Sequence, residues 1–390
     1  MTTDPIIIIG AGQCGLKAAE TLRQKGYEDG LMLIGDEPHA PYQRPPLSKA
    51  FLKGELPLKG LMLKGSDFFE KFDIDARLSC PIQSIDPAAR TISPADAEPI
   101  AYSRLLLATG TRSRRIPVPG LELDNVFYMR TIADVEAITA ALALVPTSRV
   151  TIIGGGYIGL EVASALRSFS SEVTVVEGME RVLQRVVSPQ MSAYFHNLHT
   201  GHGVNILVNA RLEALEGDGS VERVRLGDGQ VIETDMVLMA VGAEPVCDLA
   251  ADAGVKINNG IETDTDCLTS DPHIYAAGDC ASFYSARYDR HIRLESVQNA
   301  IDQGKHAANA MLGTKEPYDP VPWFWSDQYE IKLQIAGLSQ GYDRTETEGD
   351  EAQNSFAVRY YKDDRLICVD AVNMPRAHMM ARRELAGQAG

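Results

Sequence analysis

The first part of the chain alternates apolar runs with a glycine-rich segment. Residues Ile6–Ile9 form an uninterrupted β-branched run, which is typical of a central parallel strand buried on both faces. This run ends in Gly10-Ala-Gly12-Gln-Cys-Gly15, and apolar residues then recur at helical spacing from Leu16 to Leu22. A second apolar run follows at Leu31–Ile34. The order predicts strand, turn, helix and strand, which together form a βαβ unit.

The same order returns near the middle of the chain. Residues Val150–Ile153 form an apolar run that ends in Gly154-Gly-Gly156-Tyr-Ile-Gly159. Apolar positions continue at helical spacing to Leu166, and Val173–Val176 supplies the next run. Two such units in one chain predict an α/β fold with two Rossmann-like dinucleotide-binding domains, each built on a parallel sheet.

A change in composition marks a third zone, which begins near Pro317. Two tryptophans, Trp323 and Trp325, precede two further apolar runs at Phe356–Tyr361 and Leu366–Val372. The four polar residues between these runs predict a strand, a turn and a strand. We therefore expect a small α/β domain in the C-terminal part of the chain.

The net charge of the whole chain argues against nucleic acid and anionic membranes as partners. Its 390 residues include 37 Lys and Arg against 53 Asp and Glu, so the net charge is −16. Such a surface repels nucleic acid and anionic membrane, and no apolar run approaches the ~18 residues of a membrane span. The first apolar run has no basic segment before it. We predict a cytoplasmic protein with neither a nucleic-acid nor a membrane partner.

The six cysteines stand singly along the sequence. No two have the C-x-x-C spacing of a redox pair, and none has zinc-like spacing with the eight histidines. This pattern argues against thiol-disulfide reductases, which need an active-site cysteine pair. It predicts reduced, mostly buried thiols and no metal site.

Both glycine segments have the spacing G-x-G-x-x-G, which serves the binding of a diphosphate. The first glycine permits a tight turn, the second lets the phosphates approach the backbone, and the third lets helix and strand pack closely. The N-terminus of the following helix then presents free N–H groups and a partial positive charge. The predicted cradles are Gly10, Gly12 and Gly15 in the first unit, and Gly154, Gly156, Tyr157, Ile158 and Gly159 in the second.

A carboxylate after the second strand of each unit is a candidate ribose ligand. Glu177 directly follows the second strand of the later unit, where it would accept hydrogen bonds from ribose hydroxyls and repel a 2′-phosphate. This favours NADH over NADPH. The nearby Arg181 and Arg185 leave room for the alternative, a bound 2′-phosphate. In the first unit either Asp36 or Glu37 would hold a ribose.

The segment Gly35-Asp-Glu-Pro-His-Ala-Pro-Tyr-Gln-Arg-Pro-Pro-Leu-Ser-Lys49 resembles the flavin-proximal signature of a known family. These are the FAD-dependent, NADH-using ferredoxin reductases of oxygenase systems, which include the putidaredoxin and biphenyl-dioxygenase types. Rubredoxin reductases and apoptosis-inducing factor have the same pattern. Further segments agree with the family in the same order: Leu105–Gly110, Val241–Pro245, Ile274–Asp279, Glu295–Ala300 and Trp323–Asp327.

The resemblance implies a glutathione-reductase-like arrangement, with FAD bound by the first unit and NADH by the second. It implies a discontinuous FAD-binding domain at residues 1–112 and 247–318, an NADH-binding domain at 113–246 and a C-terminal α/β domain at 319–390. Beyond the glycines and carboxylates above, the residues expected to bind cofactors are Arg44, Lys49, Ile82, Ala108, Thr109, Gly110, Arg130, Arg185, Gly242, Gly278, Asp279, Glu295, Ser296 and Val297.

Three residues are candidates for the chemistry at the flavin. Hydride passes from nicotinamide to flavin, so the protein must stabilise negative charge and needs no nucleophile. Lys49 is the best candidate, since Pro45 and Pro46 stiffen the loop that presents it and a buried ammonium needs an anionic partner. The resemblance supplies Glu161 as that partner and places Trp325 near the flavin edge.

The resemblance also implies an electron acceptor, a two-iron two-sulfur ferredoxin. Such ferredoxins are usually acidic and would dock on basic stretches, although arginines solvated in loops would give the same pattern. The candidate docking residues are Arg287, Arg290, Arg293, Arg376, Arg382 and Arg383. Two alternatives stay open: a rubredoxin reductase, and a redox-controlled binding protein similar to apoptosis-inducing factor.

Overall fold

The computed structural model describes residues 4–145, 148–169 and 171–387. The chain forms two compact units. The first comprises Met1–Gln43, Leu61–Arg112 and Glu244–Pro322, and the second comprises Arg44–Gly60, Ser113–Ala243 and Trp323–Gly390. The domain boundaries expected from the sequence divide the chain at other residues and stay a prediction.

The first unit is built on a five-stranded parallel sheet. The run Ile6–Ile9 is its central strand and pairs with Leu31–Ile34 on one side and Arg104–Leu107 on the other. All four isoleucines are buried, as an uninterrupted apolar run in a parallel sheet requires. Asp75–Arg77 and Ile274–Ala276 form the two edges.

Two long helices cover one face of this sheet. Helix Gln13–Gln24 buries Leu16 and Leu22 among strand residues and the helix Val297–Met311. The other elements of the first unit are the helices Phe68–Lys71 and Asp248–Asp252 and the strands Ile82–Asp86, Thr91–Pro94, Ile100–Ala101, Ile261–Thr263, Ala281–Ser285 and Arg290–Ile292. Three short elements lie at unit boundaries: the helix Leu58–Leu61 and the paired strands Thr111–Ser113 and Ala243–Pro245.

A second parallel sheet organises the middle of the second unit. Its central strand, Arg149–Ile153, pairs with Glu172–Val176 and Met236–Met239. Asn205–Leu207 and Val126–Tyr128 form the edges. The helices of this region are Ile132–Leu144, Tyr157–Leu166 and Pro189–Gly201, with short 3₁₀ turns at Pro45–Ser48 and Arg167–Phe169 and a small antiparallel sheet of Leu212–Glu216, Arg223–Leu226 and Val231–Glu233.

The C-terminal part of the second unit is a five-stranded antiparallel sheet with one helix, Pro375–Gly387. The strand order is Trp323–Gln328, Ile331–Gly337, Arg365–Val372, Ser355–Lys362 and Arg344–Asp350. A 3₁₀ turn, Glu351–Gln353, comes directly before the strand Ser355–Lys362 in the sequence. Every residue of the edge strand Arg344–Asp350 is exposed.

The predicted α/β architecture is confirmed. Both glycine segments join a buried strand to a helix, and the predicted C-terminal hairpin is present as Ser355–Lys362 and Arg365–Val372. The six cysteines are free thiols, and four of them are buried. Among the described residues, no helix has the length and apolarity that a membrane crossing needs.

Candidate active site

The first glycine turn has the geometry of a nucleotide cradle. Gly10 has φ +116°, and a Cβ there would lie 2.1 Å from the carbonyl oxygen of Ala108, so no other residue fits. A Cβ at Gly15 would meet the carbonyl oxygen of Gly10 at 2.0 Å, which explains the close approach of helix and turn. At Gly12, by contrast, a Cβ would have no atom within 4 Å in the described part of the chain beyond its immediate neighbours. The turn is therefore closed on two sides and open at its second glycine.

The second glycine turn repeats these three features. A Cβ at Gly154, where φ is +112°, would lie 2.3 Å from the carbonyl oxygen of Ala240. A Cβ at Gly159 would lie 2.1 Å from the carbonyl oxygen of Gly154. The position above Gly156 is again open when all described residues beyond its chain neighbours are considered. Each turn leaves space where a diphosphate needs to approach backbone N–H groups, so both fit a dinucleotide.

Glu177 is held beside the second cradle by backbone hydrogen bonds. Its Oε2 accepts from the N–H of Gly155 at 2.7 Å, and its Oε1 accepts from the N–H of Met179 at 2.8 Å. Both carboxylate oxygens have further lone pairs for ribose hydroxyls. The Arg181 guanidinium donates to the carbonyl oxygens of Val187 and Gln184 at 3.0 and 3.2 Å, so it stabilises its own loop.

Arg185 lies close to Gly242, a second predicted residue of the NADH site. Its guanidinium is 3.8 Å from the position of a Cβ at Gly242, which follows the strand Met236–Met239. The structure thus brings together Gly242, Arg185 and the glycine turn as predicted residues of one site. Ile158, on the first turn of helix Tyr157–Leu166, is exposed.

Two predicted residues of the first unit lie against its glycine turn: the backbone nitrogen of Thr109 is 3.1 Å from the position of a Cβ at Gly10, and Cys14 Cβ is 3.0 Å from the position of a Cβ at Gly278. Thr109 follows the strand Arg104–Leu107 and donates from Oγ1 to the carbonyl oxygen of Val246 at 2.7 Å. Ser296 caps helix Val297–Met311 by accepting from the N–H of Asn299 at 3.1 Å. The buried Gly278 donates from its N–H to Gln303 Oε1 at 2.7 Å.

The carboxylates of the first unit are not equally available. Tyr42 donates from its hydroxyl to Glu37 Oε2 at 2.7 Å. Glu295 pairs with Arg293 at 2.6 Å, and Arg293 also donates to the carbonyl oxygen of Asp279 at 3.0 Å. Ile82 begins the strand Ile82–Asp86 and packs, partly buried, on the apolar cluster below the sheet.

Lys49 and Glu161 meet in the second unit. Lys49 Nζ lies 2.5 Å from Glu161 Oε2, and the Glu161 side chain is only 6% exposed. Ser48 donates from Oγ to the same carboxylate oxygen at 2.6 Å, and Lys49 Nζ also donates to the carbonyl oxygen of Pro45 at 3.2 Å. The turn Pro45–Ser48 therefore places the ammonium against one buried carboxylate, as the resemblance implied.

Trp325 and Arg44 are also placed in the second unit. Trp325 lies on the strand Trp323–Gln328, and its ring centre is 5.8 Å from that of Trp323. The Arg382 guanidinium lies 4.7 Å from the centre of the Trp323 ring. Arg44 donates to the carbonyl oxygen of Arg130 at 2.6 Å, so these two predicted residues are in contact.

The structure argues against two of the predicted docking arginines. Arg287 lies 3.6 Å from Asp319 with its side chain 8% exposed. Arg293 is 10% exposed and bonded to Glu295. Both guanidiniums form ion pairs within the first unit and are nearly buried, so they contribute little positive charge to a surface that a partner could contact. By contrast, Arg376, Arg382 and Arg383 are exposed on helix Pro375–Gly387.

Sequence reasoning missed three polar residues that support Glu161. Ser326 donates from Oγ to Glu161 Oε1 at 2.7 Å, Gln328 donates to Ser326, and His199 contacts Gln328. Ser326 and Gln328 alternate on one strand and are both buried, so two polar residues at even spacing inside a core strand were the available signal.

Comparison with known proteins places these features in a family. Residues 4–304 match the pyridine nucleotide-disulphide oxidoreductase family, and residues 323–389 match the reductase C-terminal family. Rhodocoxin reductase from Rhodococcus erythropolis is 42% identical over 98% of this chain and 89% of its own length. Putidaredoxin reductase CamA from Pseudomonas putida is 39% identical over 95% of this chain and 89% of its own length.

Solved structures give the same result. The covalent putidaredoxin reductase–putidaredoxin complex contains a chain with 37% identity and a TM-score of 0.95, covering 100% of this chain and 94% of that chain. A ferredoxin reductase from Rhodopseudomonas palustris is 42% identical with a TM-score of 0.94, covering 97% and 94%. The predicted resemblance and the predicted cofactors, FAD and NAD(H), are confirmed. The chain belongs to the pyridine nucleotide-disulphide oxidoreductase family and has that family's dinucleotide-binding fold joined to a reductase C-terminal domain.

Proposed function

We propose that this chain is an NADH-dependent ferredoxin reductase, which passes electrons from NADH through FAD to a small iron–sulfur ferredoxin that feeds an oxygenase. The observation that carries the proposal is the pair of open glycine turns, Gly10–Gly15 and Gly154–Gly159, on two separate parallel sheets. The names of the relatives, rhodocoxin reductase and putidaredoxin reductase among them, support the same acceptor class.

In this proposal the first unit binds FAD and the second binds NADH. When bound, FAD accepts two electrons as hydride from NADH and releases them singly. Gly12 and the N-terminus of helix Gln13–Gln24 receive one diphosphate, and Gly156 with helix Tyr157–Leu166 receives the other. The remaining predicted cofactor residues, from Asp36 and Asp279 to Ser296 and Val297, complete the first site.

The expected domain boundaries fit this assignment of cofactors. Residues 1–112 and 247–318 would form the FAD-binding domain, 113–246 the NADH-binding domain and 319–390 the C-terminal domain. The two parallel sheets support these boundaries, because all strands of one sheet lie in the expected FAD-binding domain and all strands of the other lie in the expected NADH-binding domain.

Glu177 selects NADH in this proposal. Its carboxylate is fixed by the N–H groups of Gly155 and Met179, so it cannot swing away from a bound nucleotide without breaking both bonds. A fixed negative charge repels a 2′-phosphate and accepts hydrogen bonds from a 2′-hydroxyl. Arg185 then serves the diphosphate rather than a 2′-phosphate.

Lys49 supplies positive charge to the reaction, and Glu161 holds it. Hydride transfer creates negative charge, which an ammonium in a poorly solvated position stabilises more strongly than one in water. Glu161 keeps the ammonium in place and offsets the cost of burying it. Trp325 is proposed as the aromatic side chain that borders the same reaction.

The acceptor is proposed to be a two-iron two-sulfur ferredoxin that docks on helix Pro375–Gly387. Its exposed face carries Arg376 and Arg383, and the neighbouring Met379 and Met380 are 47% and 55% exposed. A mixed surface of arginine and flexible apolar side chains suits an acidic partner. Arg290 remains a weaker candidate, because Arg287 and Arg293 beside it are committed to internal contacts.

A second acceptor class is favoured by one comparison. A rubredoxin-NAD(+) reductase from Pseudomonas putida is 37% identical over 95% of this chain and 96% of its own length. Steady-state turnover with a ferredoxin and with a rubredoxin, at equal concentrations, separates the two proposals.

The test of the proposed function begins with the purified protein. We expect flavin absorption bands, bleaching on anaerobic addition of NADH with weaker response to NADPH, and turnover with a ferredoxin. A protein that stays colourless after reconstitution with FAD would overturn the proposal. An NADH reaction that serves no electron carrier would instead favour a redox-controlled binding protein.

A further inference from the structure

A chain of buried hydrogen bonds leads away from the Lys49–Glu161 pair through the second unit. Ser326 Oγ lies 2.7 Å from Glu161 Oε1, and Gln328 Nε2 lies 3.1 Å from Ser326 Oγ. Gln328 Oε1 then lies 2.8 Å from His199 Nε2. Ser326, Gln328 and His199 are all buried, although each is polar. Buried polar groups that contact one another in series form a network rather than isolated contacts.

The direction of donation along this network is fixed by chemistry. An ionised carboxylate only accepts, so the single hydroxyl hydrogen of Ser326 goes to Glu161. Ser326 Oγ must then accept, which requires the amide nitrogen of Gln328 to face it. The amide oxygen of Gln328 therefore faces His199, and His199 Nε2 carries the hydrogen. Every contact in the series pairs one donor with one acceptor.

His199 is suited to close this network at its far end. Burial lowers the pKa of His199 to about 4, so the ring is neutral at pH 7. Its Nδ1 is then an acceptor and lies 3.3 Å from the hydroxyl of Tyr329. Tyr329 is itself held by its backbone N–H, which donates to Ser164 Oγ at 2.7 Å, and by its ring, which stacks on His202. The network is thus anchored in two helices.

The two oxygens of Glu161 have different partners. Oε2 accepts from both Lys49 and Ser48, whereas Oε1 accepts from Ser326. Without the Ser326 hydroxyl, a buried oxygen of a charged carboxylate would lose a hydrogen bond worth about 1.5–3 kcal/mol in general. The carboxylate would rotate toward other donors and take the Lys49 ammonium with it.

We propose that Ser326, supported by Gln328 and His199, is a positioning residue that fixes the orientation of Glu161 and through it the place of the Lys49 ammonium. The inference rests on the proposed function, in which Lys49 stabilises charge during reduction by NADH. Ser326 itself touches neither cofactor in this scheme, because it acts through Glu161.

The variant Ser326→Ala tests this role. We expect the limiting rate of flavin reduction by NADH, measured by anaerobic stopped-flow, to fall roughly tenfold, the equivalent of one lost charged hydrogen bond. The apparent Kd for NADH and the FAD content stay unchanged. The midpoint potential of the bound FAD, measured by spectroelectrochemistry, becomes more negative because the positive charge is displaced.

A matched control is available in the same unit. Ser148 is also buried, and its hydroxyl lies 3.1 Å from the hydroxyl of Ser171. It precedes the strand Arg149–Ile153, at the end opposite the glycine turn. Ser148→Ala should leave both the limiting rate and the midpoint potential at the wild-type values, whereas Ser326→Thr, which keeps a hydroxyl, should restore much of both.

Coupling to Lys49 separates positioning from a general loss of structure. Lys49→Met should slow flavin reduction by itself, and adding Ser326→Ala to it should cause no further loss. An additive loss in the double variant would overturn the inference, as would a wild-type rate in Ser326→Ala. If Lys49→Met alone reduces flavin at the wild-type rate, the proposed function of Lys49 fails instead, so the two failures are distinguishable.

Discussion

At the scale of single residues, identical side chains have different roles because their contacts differ. Glu177 is fixed by two backbone N–H groups, whereas Glu180, in the same loop, is exposed. Arg293 is bound inside the first unit, whereas Arg383 faces solvent. The role of a charged residue in this protein therefore follows from which partners reach it.

Glu177→Gln is expected to relax the choice of nucleotide. The amide keeps an oxygen for one backbone N–H but removes the charge that repels a 2′-phosphate. The ratio of kcat/KM for NADH to that for NADPH should fall by about tenfold, the effect of one charged contact. Glu180→Gln is the control and should leave the ratio unchanged. An unaltered ratio in Glu177→Gln would remove Glu177 from nucleotide selection.

Alanine at two glycines of one turn should affect different properties, stability at Gly154 and NADH binding at Gly156. Gly154→Ala places a Cβ 2.3 Å from a carbonyl oxygen at φ +112°, so we expect a lower thermal unfolding midpoint and a loss of about 2 kcal/mol or more. Gly156→Ala meets no atom within 4 Å among the described residues beyond its chain neighbours. It should fold normally and bind NADH at least tenfold more weakly, because the methyl group occupies the phosphate position. Calorimetry and NADH titration of both variants decide this.

At the scale of elements, one core strand carries an ionisable side chain that the fold buries. Asp370 lies on the strand Arg365–Val372, is fully buried, and accepts a hydrogen bond from the Tyr360 hydroxyl. The Cys368 thiol also donates to Asp370 Oδ1, at a distance of 3.8 Å from Sγ. Burial raises the pKa of Asp370 from 3.8 to about 7. The folded protein therefore retains a proton that the unfolded chain releases.

This shift predicts a dependence of stability on pH. Because the pKa is higher in the folded state, the contribution of Asp370 is most favourable below pH 4 and is lost progressively as pH rises to about 7. Asp370→Asn stays neutral, so its stability relative to the native protein should rise across that window by up to about 4 kcal/mol. Urea denaturation at several pH values measures this, with the exposed turn variant Asp364→Asn as the control. Parallel pH profiles for Asp370→Asn and the native protein would contradict the prediction.

The elements were predictable from sequence where local pattern decides them. The strands Ile6–Ile9 and Arg149–Ile153 and the helices after them follow from uninterrupted apolar runs and glycine spacing. The Lys49–Glu161 contact came only from the family resemblance, since 112 residues separate the two. Even spacing of Ser326 and Gln328 in a core strand was a local signal, but their contacts with Glu161 and His199 were not predictable, because 165 and 129 residues separate the partners.

The same reasoning explains why two of the six candidate docking arginines, Arg287 and Arg293, have nearly buried side chains. Arg287, Arg290 and Arg293 lie within seven residues, but the sequence does not show which of them the fold buries. Asp319 reaches Arg287 from 32 residues away, and the fold buries Arg293 beside Glu295. A cluster of arginines in the sequence shows how many positive charges a segment contains. Whether those side chains are exposed to a partner depends on tertiary packing.

At the scale of the whole molecule, the net charge of −16 means that an acidic partner needs a local basic surface on which to dock. In the proposed docking, most of the surface would repel an acidic ferredoxin and helix Pro375–Gly387 would attract it. Its reduction should therefore weaken as salt rises, since exposed charges are screened within about 10 Å at 0.1 M.

The double variant Arg376→Gln/Arg383→Gln tests this surface. We expect its KM for ferredoxin to rise several-fold at low salt and to lose most of its salt dependence, while flavin reduction by NADH is unchanged. Arg211→Gln removes an exposed arginine elsewhere in the second unit and serves as the control. A salt dependence equal to that of the native protein would exclude the helix as the docking surface.

The exposed edge strand Arg344–Asp350 bears on how this protein behaves in crowded solution. An outermost strand with unpaired backbone groups is a template on which a second copy can extend the sheet. Here the exposed strand carries three carboxylates, Glu346, Glu348 and Asp350, against one arginine, Arg344. We therefore expect two such edges to repel each other at neutral pH, because each carries more negative than positive charge.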